Sequence, residues 1–188
     1  NKFLGYWKLK NIHFLKGKIL SIIICNYHNL QEKNFSAFLH GSIVNKSNKS
    51  FLIIGSSGSG KTSLAAILVK NGFKLICDDT APLSNEGFFV HFPNALSIKK
   101  SKSGILSNYS FENFDKYSIK TYKGEITYLY PKRNEILKKH YYCDYIFRVQ
   151  YEKNSNFGFS KSKKVEVLMQ LLNDSFLPRN NKSIKSFM

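Results

Sequence analysis

Phe51-Leu52-Ile53-Ile54-Gly55-Ser56-Ser57-Gly58-Ser59-Gly60-Lys61-Thr62 is the stretch whose reading decides the fold of this chain. The four apolar residues at its start form a short uninterrupted run, the pattern of a strand covered on both faces. The eight that follow fit G-x-x-x-x-G-K-[ST], a phosphate-cradling loop. Glycines let successive backbone N–H groups turn inward on an anion, and the helix that opens at Lys61 adds the positive end of its dipole. In such a loop Lys61 reaches the β and γ phosphates of a nucleotide and the Thr62 hydroxyl ligates Mg²⁺. The expected phosphate site comprises Gly55, Ser56, Ser57, Gly58, Ser59, Gly60, Lys61, Thr62 and Ser63. A Gly/Ser-rich turn alone is weak evidence. The apolar strand before it and the helical pattern after it make the signal strong.

Outward from the loop, residues 61–70 place Leu64, Ile67 and Leu68 at helical spacing, and Asn71-Gly72 supplies a stop. Residues 73–77 form a second apolar strand, so the region reads as one strand–helix–strand unit with short connections. Asp78-Asp79 follows directly. No acidic residue occurs between Lys33 and Cys77, and this is the sole adjacent acidic pair in the chain. If the two strands run parallel, both open on the same edge of the sheet and the carboxylates face the loop. One, assigned to Asp78, can hold Mg²⁺ with Thr62, while the other accepts a proton from an attacking hydroxyl. The competing reading of the pair is a solvated turn before Pro82.

The rest of the chain is less regular. Residues 15–25 read as strand-like with a turn at Gly17, and residues 34–39 as a short helix ending near Gly41. Ile43-Val44 starts a strand, and residues 45–50 form a polar turn. Residues 88–90, 95–98, 126–130 and 145–151 carry strand composition. Residues 100–124, rich in Ser, Lys, Asn and Tyr, read as a loop. Residues 163–176 place Val165, Leu168, Met169, Leu171 and Leu172 at helical intervals, a stripe expected to pack in the core. The division expected is a single domain over 1–178 and a frayed tail over 179–188.

The chain has 188 residues, 43% of them hydrophobic and 15% aromatic, enough for a packed core. Its longest apolar run, residues 20–25, is far short of the roughly 20 residues of a bilayer-spanning helix, and no secretory pattern precedes it. The first residue is Asn1 rather than Met, which leaves the upstream sequence open. The three cysteines, Cys25, Cys77 and Cys143, are odd in number and have no CxxC spacing. That disfavours a disulfide framework or a zinc site and fits a reducing, cytoplasmic compartment. Twenty-nine Lys and Arg against twelve Asp and Glu give a net charge of +17. The basic residues are nearly all lysines spread along the chain, with short clusters at Lys99-Lys100-Lys102 and Lys161-Lys163-Lys164. Arginine, the residue suited to bidentate phosphate and base contacts, occurs only at 133, 148 and 179. The charge therefore reads as a solvated lysine surface, with RNA binding the weaker alternative. Among the histidines, His40 precedes the strand that enters the loop and is a candidate site residue. His91 reads as a strand histidine, and His13, His28 and His140 have no constellation around them. Arg148 and Lys99-Lys100 are candidate phosphate contacts.

Leu39-His40-Gly41, the run from Phe51 through GSSGSGKT, Lys70-Asn71-Gly72-Phe73 and Asp78-Asp79 together resemble the HPr kinase/phosphorylase family, including its shorter related kinases. An acidic pair one helix and one strand after the loop lysine is specific to that pattern. The resemblance implies a P-loop kinase domain of α/β class, with a mixed sheet like that of phosphoenolpyruvate carboxykinase. It implies ATP-dependent phosphorylation of a serine hydroxyl, Mg²⁺ at Thr62 and the acidic pair, one of Asp78 and Asp79 as base, and a supporting His40. The chain departs from the family at Ser56, where the HPr enzymes usually carry Asp, and it lacks their later glycine-rich signature. Its residues 92–99 instead look like the FP-x-x-L-S-x-K segment of the shorter related proteins, some of which are similar to kinases that modify small peptides such as lasso-peptide precursors.

The expected activity is thus an ATP- and Mg²⁺-dependent kinase with a serine-type hydroxyl of a protein or peptide as acceptor. Lys61, Asp78, Asp79 and His40 are its catalytic candidates. A nucleotide sensor or slow NTPase without an acceptor, and an RNA-binding protein, are the alternatives. The sequence leaves the oligomeric state open and gives no membrane partner.

Overall fold

The computed structural model of this chain describes residues 12–92, 94–99, 106, 109–121, 124–132, 140–152 and 155–178. The tail expected at 179–188, and Pro93, Lys100, Lys102, Arg133 and Arg179, lie outside the described residues. The fold is mixed α/β, with three α-helices and three sheets among the described residues. The helices are α1 (Ile12–His28), α2 (Lys61–Lys70) and α3 (Lys164–Asp174). In chain order the strands begin with β1 (Phe35–Leu39), β2 (Ser42–Lys46), β3 (Lys49–Ile54), β4 (Lys74–Cys77), β5 (Ala81–Ser84) and β6 (Phe88–Phe89). They continue with β7 (Leu96–Lys99), β8 (Phe114–Thr121), β9 (Gly124–Pro131), β10 (Tyr141–Tyr142) and β11 (Tyr145–Arg148).

The central sheet has the order β11-β3-β2-β4. β2 and β3 form a hairpin whose turn residues Ser47 and Asn48 both have positive φ (51° and 61°), the geometry that matches strand twist in a two-residue connection. β11 runs parallel to β3, and β4 is antiparallel to β2. β3 and β4 are therefore parallel to each other, as the strand–helix–strand pattern requires, but β2 lies between them. Alternate residues of these strands enter two different cores. Ile43, Leu52, Ile54 and Ile76 join a cluster with Ile24 of α1, Phe35 and Phe38 of β1 and Leu171 of α3. Val44, Ile53 and Leu75 join a second, with Ala65 and Ala66 of α2, Leu96 of β7 and Leu129 of β9. A layer buried on both faces needs unbroken apolar runs, which is why residues 51–54 carry no polar alternation.

The two outer sheets complete the layers. β1-β5-β6-β10 is antiparallel and covers the first core, and β7-β9-β8 is antiparallel and covers the second.

Several expectations are corrected. Residues 15–25 are helical, not strand. Gly17, Ser21, Ile24 and His28 recur at helical spacing: Ser21 and Ile24 are fully buried, and a Cβ on Gly17 would lie a tight 3.3 Å from Phe176. The continuous apolar run hides this period. The helix closes with Asn29 at φ 54° and a hydrogen bond from Leu30 N to Cys25 O at 2.8 Å, a left-handed cap. Residues 35–39 form a strand rather than a helix. All five are buried, so no alternation shows, and β1 is tied to β5 along its length. Gly41 is not a helix stop. A Cβ there would lie 2.8 Å from Ile53 O, so the residue permits close backbone approach. The interval expected to be a loop contains β8, eight residues paired throughout with β9. The strand at 145–151 ends at Arg148. Finally, the α3 stripe is not core: Val165, Leu168, Met169 and Leu172 are exposed, and Leu171 is the buried residue of the helix.

Candidate active site

β3 ends at Ile54, and the chain passes through residues 55–60 before α2 starts at Lys61. Gly55 has φ 153°, and a Cβ on it would lie 2.5 Å from both Ser59 Oγ and Val149 O. No side chain fits there, so the loop folds tightly on itself and on residue 149. Val149 N donates to Ile54 O at 2.8 Å, which extends the β11–β3 pairing past the end of the strand. Lys61 is buried, and its ammonium donates to Gly55 O at 2.7 Å and Ser56 O at 3.1 Å. Burial lowers its pKa, against the opposing charges of Asp174, Asp79 and Asp78. Ser56, Ser57 and Gly58 are exposed, Gly60 and Ser63 partly so. Ser59 Oγ is buried with no hydrogen-bond partner among the described residues. An orphaned hydroxyl beside a lysine at a helix N-terminus is suited to an anion, which such donors can bind.

β4 ends at Cys77 and delivers Asp78 to the same edge. Asp78 is 1% exposed and lies with both carboxylate oxygens 3.2 Å from Thr62 Oγ1. Ser42 Oγ, at the start of β2, donates to Asp78 Oδ1, and Asn94 Nδ2 donates to the Asp78 carbonyl at 3.0 Å. Burial raises the Asp78 pKa, the Ser42 hydrogen bond opposes this, and the charge of Asp79 adds to the rise. A desolvated carboxylate with a hydroxyl at its side is a hard-oxygen pair of the kind that holds Mg²⁺.

Asp79 occupies a different environment one residue away. Its φ is 62°, a left-handed conformation that a non-glycine residue adopts at a cost. The turn sends its carboxylate away from Asp78 toward His40, whose Nδ1 is 3.2 Å from Asp79 Oδ1 and 3.0 Å from the Asp79 carbonyl. Lys16 of α1 approaches Asp79 Oδ2 at 3.5 Å. The His40 hydrogen bond holds the Asp79 pKa down to about 2, despite burial, and raises that of His40 in return. Two adjacent carboxylates thus have opposite tuning: Asp78 is sequestered, whereas Asp79 is half-exposed and firmly ionised.

The structure brings together the loop, Lys61, Thr62, Asp78, Asp79 and His40. It does not bring in the other candidates. Arg148 pairs with Glu166 of α3 at 2.8 Å, and Lys99 ends β7. His91 is not in a strand but follows β6, buried. Residues that the sequence reading missed are Ser42, Lys16, Asn94 and Asp174, the last being the strongest of the charges acting on Lys61. Ser42 follows the quoted His40-Gly41 and was within reach of the sequence. Asn94 lies at a variable position of the 92–99 segment, and Lys16 and Asp174 carry no local signal.

A curated relative, HPr kinase/phosphorylase 1 of Oceanobacillus iheyensis, is 37% identical over 75 residues, which are 39% of this chain. The chain is similar there to a kinase. The matched segment is 24% of the relative, so the chain spans about a quarter of that protein's length. No protein-family model matches the chain. The likeness places the kinases, or phosphotransferases more broadly, as the class to which the site is to be compared. No helix among the described residues is long and apolar enough to cross a membrane.

Proposed function

We propose that this chain is a P-loop kinase, dependent on ATP and Mg²⁺, that transfers a phosphoryl group to a serine-type hydroxyl of a protein or peptide. The observation that carries the reading is the contact of the Asp78 carboxylate with Thr62 Oγ1 at 3.2 Å, at the N-terminus of the helix that the glycine-rich loop opens. The orphaned Ser59 hydroxyl and the buried Lys61 ammonium fit a triphosphate, and the Thr62–Asp78 pair fits a divalent cation. Magnesium bound there would neutralise charge on the β and γ phosphates.

The protein's own residues do the rest by positioning and charge. Lys61 exchanges its two carbonyl partners for phosphate oxygens. The loop amides hold the triphosphate in one orientation. Asp79, kept ionised by His40, orients the acceptor hydroxyl and takes its proton as its oxygen bonds to the γ-phosphorus and the bond from that phosphorus to the β–γ bridging oxygen breaks, releasing ADP. A base with a pKa near 2 is weak, but phosphoryl transfer passes through a loose transition state in which the hydroxyl needs orientation more than early deprotonation. HPr, which the Oceanobacillus relative's name gives as its substrate, is the first acceptor to test, with serine-containing peptides beside it.

The test is incubation with Mg²⁺ and γ-labelled ATP in the presence of HPr or a serine peptide. Phosphoserine on the acceptor is the expected product, and Lys61→Ala should lower its formation on the order of a hundredfold or more. Full transfer by that variant would refute the assignment. Label released only as free phosphate would favour a nucleotide sensor or slow NTPase.

A further inference from the structure

Resting on the nucleotide reading above, we propose that Tyr151 is the platform on which the base of the bound nucleotide stacks. In the sequence β11-β3-β2-β4, the loop at the end of β3 has β11 on one side and β2 with β4 on the other. The Thr62–Asp78 pair, and with it the metal and the reacting end of a triphosphate, belongs to the β4 side. The base-bearing end then leaves on the opposite side, where the continuation of β11 runs.

That continuation is held against the loop. Val149 N bonds Ile54 O at 2.8 Å, and Val149 O lies 2.5 Å from where a Gly55 Cβ would be. Two residues on, Tyr151 Cβ lies 3.7 Å and Val149 Cγ1 lies 3.9 Å from where a Gly60 Cβ would be. Gly60 has φ 95° and carries no side chain, so the Tyr151 Cβ lies beside the last turn of the loop before α2. Tyr151 is 53% exposed. Among the described residues its ring has no aromatic or cationic partner, in contrast to Phe51, which stacks on both Tyr145 and Phe147. A half-exposed tyrosine whose Cβ packs beside a phosphate loop, next to Val149, offers a flat apolar ring of the kind that a nucleobase needs. Stacking on an aromatic side chain reads the π-face of the base.

The inference is tested by calorimetric binding to the full chain in the presence of Mg²⁺, with ATP and inorganic tripolyphosphate as the two probes. Tyr151→Ala should weaken ATP on the order of tenfold and leave tripolyphosphate within twofold, while Tyr151→Phe should keep the wild-type affinity for both. Unchanged ATP affinity in Tyr151→Ala would overturn the proposal. So would equal losses for both probes, because they would assign Tyr151 to support of the loop rather than contact with the base. Failure of the wild-type chain to bind either probe would instead refute the phosphate loop itself.

Discussion

His91 lies outside the site, yet it is the residue at which acid should act on this protein. It is 4% exposed, and neither ring nitrogen has a hydrogen-bond partner among the described residues. Its backbone carbonyl accepts from His28 Nε2 at 2.7 Å, which brings a second imidazole close. Burial first, and then the charge of His28, depress its pKa from 6.5 to about 4. A histidine with a depressed folded pKa binds fewer protons than in the unfolded chain. Its effect on stability is therefore absent above pH 6.5 and grows as the pH falls toward 4. Between pH 7.5 and 5 this difference amounts to about 2 kcal/mol. His40 runs the other way, since its raised pKa favours the folded state below 6.5 and that contribution fades as the pH rises through the folded value. Comparison with a His91→Leu variant separates the two. Urea unfolding should show a gap between wild type and variant that shifts by about 2 kcal/mol in favour of the variant between pH 7.5 and 5. A constant gap would show that His91 takes up its proton without penalty.

At the scale of elements, α1 is the place where sequence and structure part most clearly, and it supplies its own check. Ile24 is 0% exposed and Ile23 is 47% exposed, one residue apart on a helix whose outer stripe includes Ile19, Ile23 and Tyr27. Ile24→Ala should cost about 2–5 kcal/mol, and Ile23→Ala less than about 1, by chemical denaturation. Similar costs at both positions would mean the run is buried all round. The helix was illegible because six consecutive apolar or small residues fit either period, and a short β1 buried on every residue offered no alternation to read. β8 was hidden by its charged and polar residues, since the pairing with β9 that makes it a strand lies across the chain rather than in its composition. By contrast β3, α2 and β4 were legible, because a phosphate loop ties residue type to backbone conformation over a few positions. For the same reason one member of the acidic pair could be expected beside Thr62, since one helix and one strand fix the pair's place, but which of the two lies there is told only by the contact of Asp78 with Thr62. Lys16, Asp174 and Tyr151 reach the site through α1, α3 and the continuation of β11, by contacts that no local spacing encodes.

The whole molecule carries a net charge of +17, and its few acidic groups are already engaged where the protein most needs them. Asp79 is paired with His40 and Lys16, Glu32 with Lys18, Asp144 with Lys49 and Glu166 with Arg148. The remaining lysines, spread along the chain, repel one another. Repulsion of this kind acts on the compact state more than on the expanded chain, so it lowers stability and is relieved by screening. Raising the ionic strength from 0.01 to 0.15 M shortens the screening length from about 30 Å to about 8 Å. The surface ion pairs lose little in return, because exposed pairs contribute at most about 1 kcal/mol each. A net gain on the order of 1 kcal/mol should raise the thermal midpoint by about 2–4 °C over that range. Over the same range the affinity for tripolyphosphate should fall, because the long-range attraction of an anion to this surface is screened while the loop contacts are not. A scan in which salt lowers the midpoint would mean that the ion pairs outweigh the repulsion. The lysine excess would then be a set of local partnerships rather than a field spread over the molecule.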